Sequence, residues 1–405
     1  MQNTTPKDRL DRIRFLKPGP GFLQKSLAIL ALMSLSAGAF SPVELHGQLK
    51  VQGNQIVDKN GMPVRFDGMA LFWSQWQPQY WNAQCVKWLA DDWKCSIIRA
   101  SMAIEDGGFL ANPQGEIDKV KRVIEGALAN GLYVVVDWHD HNASSHTDAA
   151  KSFFADIAKT YGDKPNIIYE TFNEPWGGQG WKETIKPYHE QIIPAIRKYD
   201  PDNLILLGTP NWSQDVDIAS QNPVTISDNL IYTLHFYAGT HHQMYRDKAS
   251  VALKSGLALM VTEGGLSQAQ GDGPIDTAEG RKWFVFLREN QISWMNWSVC
   301  DKYESSAALT QGASGTGGWN ENSLTASGKW VRSAIRSTYQ DGQTLVKPFP
   351  KNRVEQKILR MGRYGDNQLS ITTFGSEDAG YFDLLGKIRK PSLLSSGVKA
   401  NPTRN

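Results

Sequence analysis

The chain has 405 residues, enough for one barrel-sized core with flanking segments or for two ordinary domains. Its 43 basic and 41 acidic residues leave a formal charge of +2, which gives no electrostatic basis for a nucleic-acid partner. Three cysteines, Cys85, Cys95 and Cys300, are too few for a disulfide framework and lack the paired spacing of a zinc site. They read as buried thiols, with a Cys85–Cys95 bridge left open for an oxidising compartment.

In chain order, the first segment with a clear grammar is 25–39, KSLAILALMSLSAGA, a basic residue followed by a short apolar run and an Ala37-Gly38-Ala39 ending. This is the pattern of a secretory signal peptide, so residues 1–39 are expected to be a leader and the mature protein secreted. The apolar run is short for a membrane span, and no stable membrane association is expected once the leader is cleaved. The charged lead Met1 to Gln24 is long for a signal peptide, which leaves two alternatives open: an upstream misassigned start, or an uncleaved anchor. Residues 47–61, GQLKVQGNQIVDKNG, alternate apolar and polar side chains and carry Asn60-Gly61, a hairpin turn signal. This hairpin is expected to plug the bottom of the fold built by the segments C-terminal to it.

Eight short apolar runs then recur: 64–68, 96–100, 132–139, 167–173, 204–209, 230–236, 257–263 and 292–297. The stretches between them have helical periodicity; Asp118 to Asn130, for example, places apolar residues three and four apart and stops at Gly131. Eight strand-helix units in one series predict an α/β fold, a (β/α)8 TIM barrel with an N-terminal β-hairpin cap, over residues 40–340. An open doubly wound sheet is the competitor, weakened because no G-x-G-x-x-G follows the first strand. Residues 341–405 form a tail to which the sequence assigns no role.

A barrel of this type works at the C-terminal ends of its strands. Those ends carry Arg99, His139, Asn173-Glu174, His235 with Tyr237, Glu263 and Trp297, where helix caps alone would call for Ser, Gly, Asp or Asn. Glu174 and Glu263 lie 89 residues apart, three strand-helix units, and so would face one another across the mouth from strands four and seven. Two carboxyls converging on one bond suit glycosidic cleavage, by double displacement if they stand about 5 Å apart. Glu174 is the expected acid/base because Asn173 beside it can bond a sugar 2-hydroxyl. Glu263 is the expected nucleophile, held charged and aligned by Arg99 and Tyr237. His139 and His235 are expected to bind hydroxyls and tune the pair. The 14 tryptophans, several beside Asn, Gln, Asp or His, suit stacking on sugar rings, although about half would serve equally as core filler.

Phe172-Asn173-Glu174-Pro175, with Glu263 in VTEGG, resembles glycoside hydrolase family 5. The family's ordered set of Arg, His, Asn-Glu, His-x-Tyr, Glu and Trp is matched by Arg99, His139, Asn173, Glu174, His235, Tyr237, Glu263 and Trp297. GTPNWSQDVD (208–217) and DKYESSAAL (301–309) are similar to a subgroup of bacterial and nematode endoglucanases. The resemblance implies Trp76 and Trp212 as sugar platforms, Trp297, Lys302 and Glu304 as further substrate-binding residues, a β-1,4-glucan as substrate, no cofactor and a monomer. Many members carry a His where Phe72 stands, so apolar stacking is expected to replace a hydrogen bond there. Three rivals stay in view: a mannanase, licheninase or xyloglucanase with the same pair; a non-catalytic glucan-binding barrel; and a metal site at His139-Asp140-His141 with His146, against which the expectation is that no metal is used.

Overall fold

In this computed structural model the described residues are 40–345, together with four short strands between 360 and 389. The leader and most of the tail lie outside them. Among the described residues no helix is long and apolar enough to cross a membrane.

The chain enters through a one-turn helix, Pro42–His46, whose Ser41 and Glu44 bond reciprocally as a capping box. Strands β1 (Lys50–Gln52) and β2 (Gln55–Val57) pair antiparallel, turning at Gly53-Asn54 with Gly53 at φ +62°. The predicted hairpin is present, but Asn60-Gly61 is not its turn. Those residues form a second tight turn, folded onto Asp58, whose Oδ1 accepts from Asn60 N at 2.8 Å and Met62 N at 3.0 Å.

Eight parallel strands close the barrel in sequence order: β3 (Asp67–Leu71), β4 (Ile97–Ala103), β5 (Tyr133–His139), β6 (Ile167–Glu170), β7 (Leu204–Leu207), β8 (Leu230–Tyr237), β9 (Leu259–Gly265) and β10 (Ser293–Val299), which pairs back onto β3. Every residue of these strands is buried, because helices cover the outer face and side-chain layers fill the inner one. The first strand starts three residues later than the run at 64–68 predicts. Val64 and Phe66 instead join Leu49 and Ile56 in the apolar plug beneath the barrel, packed on Ile97, Tyr133 and Met295. Gly68 is needed where β3 meets β4, since a Cβ there would collide with the Ile97 carbonyl.

Helix Pro113–Ala129 ends before Gly131 at φ +61°, as its sequence predicts, but begins at an Asn112 cap, five residues before the periodic stretch read from Asp118. Cys85, Cys95 and Cys300 are all buried free thiols, so the Cys85–Cys95 bridge does not form. Burial pushes each thiol up, Cys300 to about 12, which suppresses the thiolate needed for reaction. The last helix, Ala326–Leu345, runs past residue 340. Residues 344–405 form a separate unit, in which Arg360–Arg363 pairs with Leu369–Thr372 and Tyr381–Phe382 with Ile388–Arg389, both antiparallel.

Candidate active site

Arg99 is not at a strand end. β4 continues to Ala103, which leaves Arg99 mid-strand and fully buried with its guanidinium rising through the barrel. Its Nε donates to Glu170 Oε2 at 2.6 Å, Nη1 to Glu263 Oε2 at 2.9 Å and Nη2 to Asn173 Oδ1 at 2.6 Å, while Asp137 Oδ2 lies 2.9 Å from Nη2. Burial disfavours the cation, but the charges of Asp137, Glu170 and Glu263 outweigh that and raise its pKa. Arg99 is therefore the floor of the site, with three carboxylates and an amide hung on it.

That floor decides which way Asn173 faces. Arginine only donates, so the Asn173 carbonyl must point down and its Nδ2 up, where it is buried with no partner among the described residues. An unpaired buried donor beside Glu174 is what a sugar hydroxyl would satisfy. The chain reaches this position by leaving β6 at Glu170, three residues before the predicted end, and leaning toward β5: Asn173 N donates to Trp138 O and Glu174 N to Asp140 O.

A carboxylate oxygen of Glu174, one of Glu263 and a ring nitrogen of His235 lie within 4.8 Å of one another. Glu263 accepts from Tyr237 OH at 2.6 Å as well as from Arg99, the two partners its sequence context predicts. Burial and the neighbouring charge of Glu174 nonetheless raise its pKa, so the two glutamates release their protons in separate steps. Glu174 Oε1 stands 2.9 Å from His235 Nδ1, and Oε2 stands 3.3 Å from His141 Nε2. Burial raises the Glu174 carboxyl, yet the hydrogen bonds from His141 and His235 prevail and hold it down to about 2. Burial opposes charge on His235 too, but the Glu170 carboxylate, 3.9 Å from its Nε2, and the bond to Glu174 lift it to about 9. These two shifts describe one proton, seen from the two ends of the Nδ1···Oε1 bond.

His139 turns away from the glutamate pair. Its Nδ1 bonds Asp137 at 2.7 Å, burial and the Arg99 charge hold it well below the usual histidine range, and it makes no hydrogen bond to either glutamate. A neutral His139 stacks on Trp297, ring centroids 5.2 Å apart and planes 2° off parallel. At the alternative metal site the two histidines turn to different carboxylates, His139 Nδ1 to Asp137 and His141 Nε2 to Glu174. Glu105, Asp140 and His146 do bring ligand atoms within 4.8 Å, but Asp140 already accepts from Trp138, Asn142 and His146.

The predicted platforms fall on two sides of the pair. Trp76, half exposed, packs on Trp73 and Phe72, and Phe72 packs on Trp297 at 5.2 Å. Lys302 Nζ lies 5.3 Å from the Phe72 ring and 2.6 Å from Glu304 Oε2, and Lys302 and Glu304 line, with Tyr303, a cavity of about 450 Å3. Trp212 is on the other side, tied by its backbone N–H to Pro175 O at 2.8 Å, in a cavity of about 510 Å3 that it shares with Glu174, Asn211, Gln214 and His235. Asn211, Trp212 and Ser213 all have φ near +56°, a strained run that throws the indole outward.

Sequence reasoning missed Asp137, Glu170, His141 and Thr262. Asp137 and Glu170 carry a signal, each a lone acid inside an apolar barrel strand, where an unpaired charge cannot sit. Thr262 carries none.

A parallel barrel whose mouth sets two carboxyls this close, one on an Arg-Tyr anchor and one on a histidine, has the architecture of a glycoside hydrolase. The chain matches the cellulase family, glycosyl hydrolase family 5, over residues 57–303. It is 41% identical over 378 residues to an endoglucanase of Clostridium saccharobutylicum, covering 92% of this chain and 82% of the relative, and 44% identical over 310 residues to Endoglucanase N of Pectobacterium atrosepticum, covering 75% and 69%. A solved structure from Cytophaga hutchinsonii superposes with TM-score 0.74 at 46% identity, covering 75% of this chain and 99% of that one. The catalytic domain of a Thermobifida fusca endoglucanase, solved in complex with cellotetraose, superposes with TM-score 0.70 at 37% identity over 73% of this chain and all of that one. This chain belongs to glycosyl hydrolase family 5.

Proposed function

We propose that the chain is a secreted, retaining endo-β-1,4-glucanase that cuts internal bonds of cellulose and related glucans, with Glu263 as nucleophile and Glu174 as acid/base. The observation that carries the mechanism is the approach of the two carboxylates to within 4.8 Å. Retaining enzymes hold the pair about 5–5.5 Å apart, whereas inverting enzymes need roughly 6.5–9.5 Å to admit a water. In the first step Glu263 attacks C1, the C1–O4 bond breaks, and the proton shared by Glu174 and His235 passes to the leaving oxygen. In the second, Glu174 takes a proton from water, the water oxygen bonds C1, and Glu263 leaves as carboxylate. Asn173 Nδ2 donates to the 2-hydroxyl, a bond that strengthens as charge develops at C1. Trp76, Trp297, Lys302 and Glu304 bind the glycone side and Trp212 the leaving side. The partner is a polysaccharide chain, the enzyme acts as a monomer, and the segment 25–39 directs export.

Reducing-sugar release from carboxymethyl cellulose by residues 40–405, beside Glu174→Gln and Glu263→Gln, tests the activity; each variant should lose roughly 10^3-fold or more. A 2-deoxy-2-fluoro cellobioside with a good leaving group tests the mechanism, and should add one cellobiosyl mass, mapped to Glu263. Turnover of mannan alone would move the substrate assignment, and a mass on another residue would move the nucleophile.

A further inference from the structure

The acid/base is wired to a buried carboxylate that touches no substrate. Glu170, fully buried on β6, accepts from Arg99 Nε through Oε2 and from Thr262 Oγ1 through Oε1 at 2.5 Å, with Thr233 Oγ1 at 3.3 Å. Burial opposes its charge, but Arg99 overrides this and holds its pKa below the ordinary carboxyl value. Glu170 is therefore ionised and only accepts. A hydroxyl has one proton, and Thr262 commits it to Glu170, so the 2.8 Å contact between Thr262 Oγ1 and His235 Nε2 must be donated by the imidazole. His235 consequently carries a proton on Nε2, whatever its charge. While the pair holds its transferable proton, Nδ1 has two states toward Glu174: it donates as an imidazolium to a carboxylate, or accepts as a neutral ring from a protonated Glu174. Both keep one proton on the bond that the leaving group needs. The neutral tautomer with hydrogen on Nδ1 alone, which would donate to Glu174 and hold it as a carboxylate without an acid proton, is shut out by Thr262.

We infer that Glu170 and Thr262 are positioning residues for general acid catalysis, acting through the His235 tautomer to keep a transferable proton at Glu174. The inference rests on Glu174 being the acid/base. Besides Glu170 and Glu174, the charged and titratable groups facing His235 are Glu263 on β9, Arg99 on β4, His139 and His141 at the end of β5, and Tyr237 and His241 at the end of β8. None of them reaches Nε2 with a hydrogen bond, and Glu170 Oε1 stands 3.9 Å from it, so the tautomer is set by Thr262 at 2.8 Å.

Thr262→Val, close in size, removes the hydroxyl and frees His235 to adopt the excluded tautomer. The expected result depends on the leaving group. With a cellobiosyl glycoside of a sugar alcohol, which needs a proton, kcat/KM should fall about 10- to 100-fold. With 2,4-dinitrophenyl cellobioside, whose leaving group needs none, the fall should stay within about threefold. The alkaline limb on the first substrate should move to lower pH, since His235 loses the acceptor that supports its proton. Thr262→Ser should restore both. Equal losses on the two substrates, or no loss on either, would overturn the inference. Glu174→Gln run alongside separates the two claims: if it too shows no leaving-group dependence, the acid/base assignment itself fails. Should the valine variant not fold, 15N NMR of the wild-type histidines decides; Nε2 of His235 must be protonated across the active pH range, and a bare Nε2 would refute the wiring.

Discussion

Replacing Arg99 by lysine isolates what the floor of the site contributes. The guanidinium makes contacts of 2.6–2.9 Å to Glu170, Glu263, Asn173 and Asp137, all in a fully buried position. Lysine retains the charge but not the planar fork, so its ammonium can serve one or two of the four partners and leaves at least one buried carboxylate unpaired. Breaking a buried ion pair costs about 3–5 kcal/mol, and the retained charge argues for the lower end, about 3 kcal/mol. At roughly 2–4 °C per kcal/mol, the melting temperature should drop by about 6–12 °C. Glu263 also loses a donor aimed at it, worth about 10^2-fold in kcat, while KM should change little because Arg99 lies beneath the substrate. Calorimetry and cellobioside kinetics on Arg99→Lys read both quantities. A melting temperature within about 2 °C of wild type, with kcat retained within about threefold, would refute the view of Arg99 as the anchor.

Tyr237→Phe removes the 2.6 Å bond that helps lower the Glu263 pKa. The nucleophile should then ionise at higher pH, so the acid limb of kcat/KM should move upward, with a loss of about tenfold or more at the optimum; an unmoved acid limb would deny Tyr237 that role. His189 lies buried outside the site, bonded to Thr171 and the Gly208 carbonyl, and burial lowers it from the usual 6.5 to about 4. Its unfolded form binds a proton first as pH falls, so its contribution is complete above about 6.5 and is lost as pH falls toward 4. At about 1.36 kcal/mol per pKa unit, this amounts to about 3 kcal/mol. Urea melts from pH 7 to 4 should show His189→Gln closing on wild type by that amount, and parallel curves would contradict it.

The segments that the sequence made legible are those where local pattern and fold agree. Helix Pro113–Ala129 has its apolar stripe and its terminal glycine in plain order and ends where predicted, while its start at the Asn112 cap lies five residues before the stretch read from sequence. Eight apolar runs became eight barrel strands because a parallel strand covered on both faces has to be apolar throughout. The errors lie at ends. Val64 and Phe66 read as strand but serve the plug, and Asn60-Gly61 reads as a hairpin turn but folds onto Asp58, since both choices depend on what lies below the barrel.

At the site, residue types and spacing were enough to mark Glu174 and Glu263 as a pair, to attach Arg99 and Tyr237 to Glu263, and to point to a glycoside hydrolase. Sequence alone could not show that Arg99 sits mid-strand beneath the pair, that His139 turns from the glutamates to Asp137 and Trp297, or that Glu170, Thr262, His235 and Glu174 form one line of hydrogen bonds. Those depend on which side chains from β4, β5, β6, β8 and β9 meet inside the barrel. Strand order and pattern bring the residues to the same mouth, but only closure of the barrel fixes, to within a few tenths of an ångström, which donor faces which acceptor, and the position of the catalytic proton depends on that.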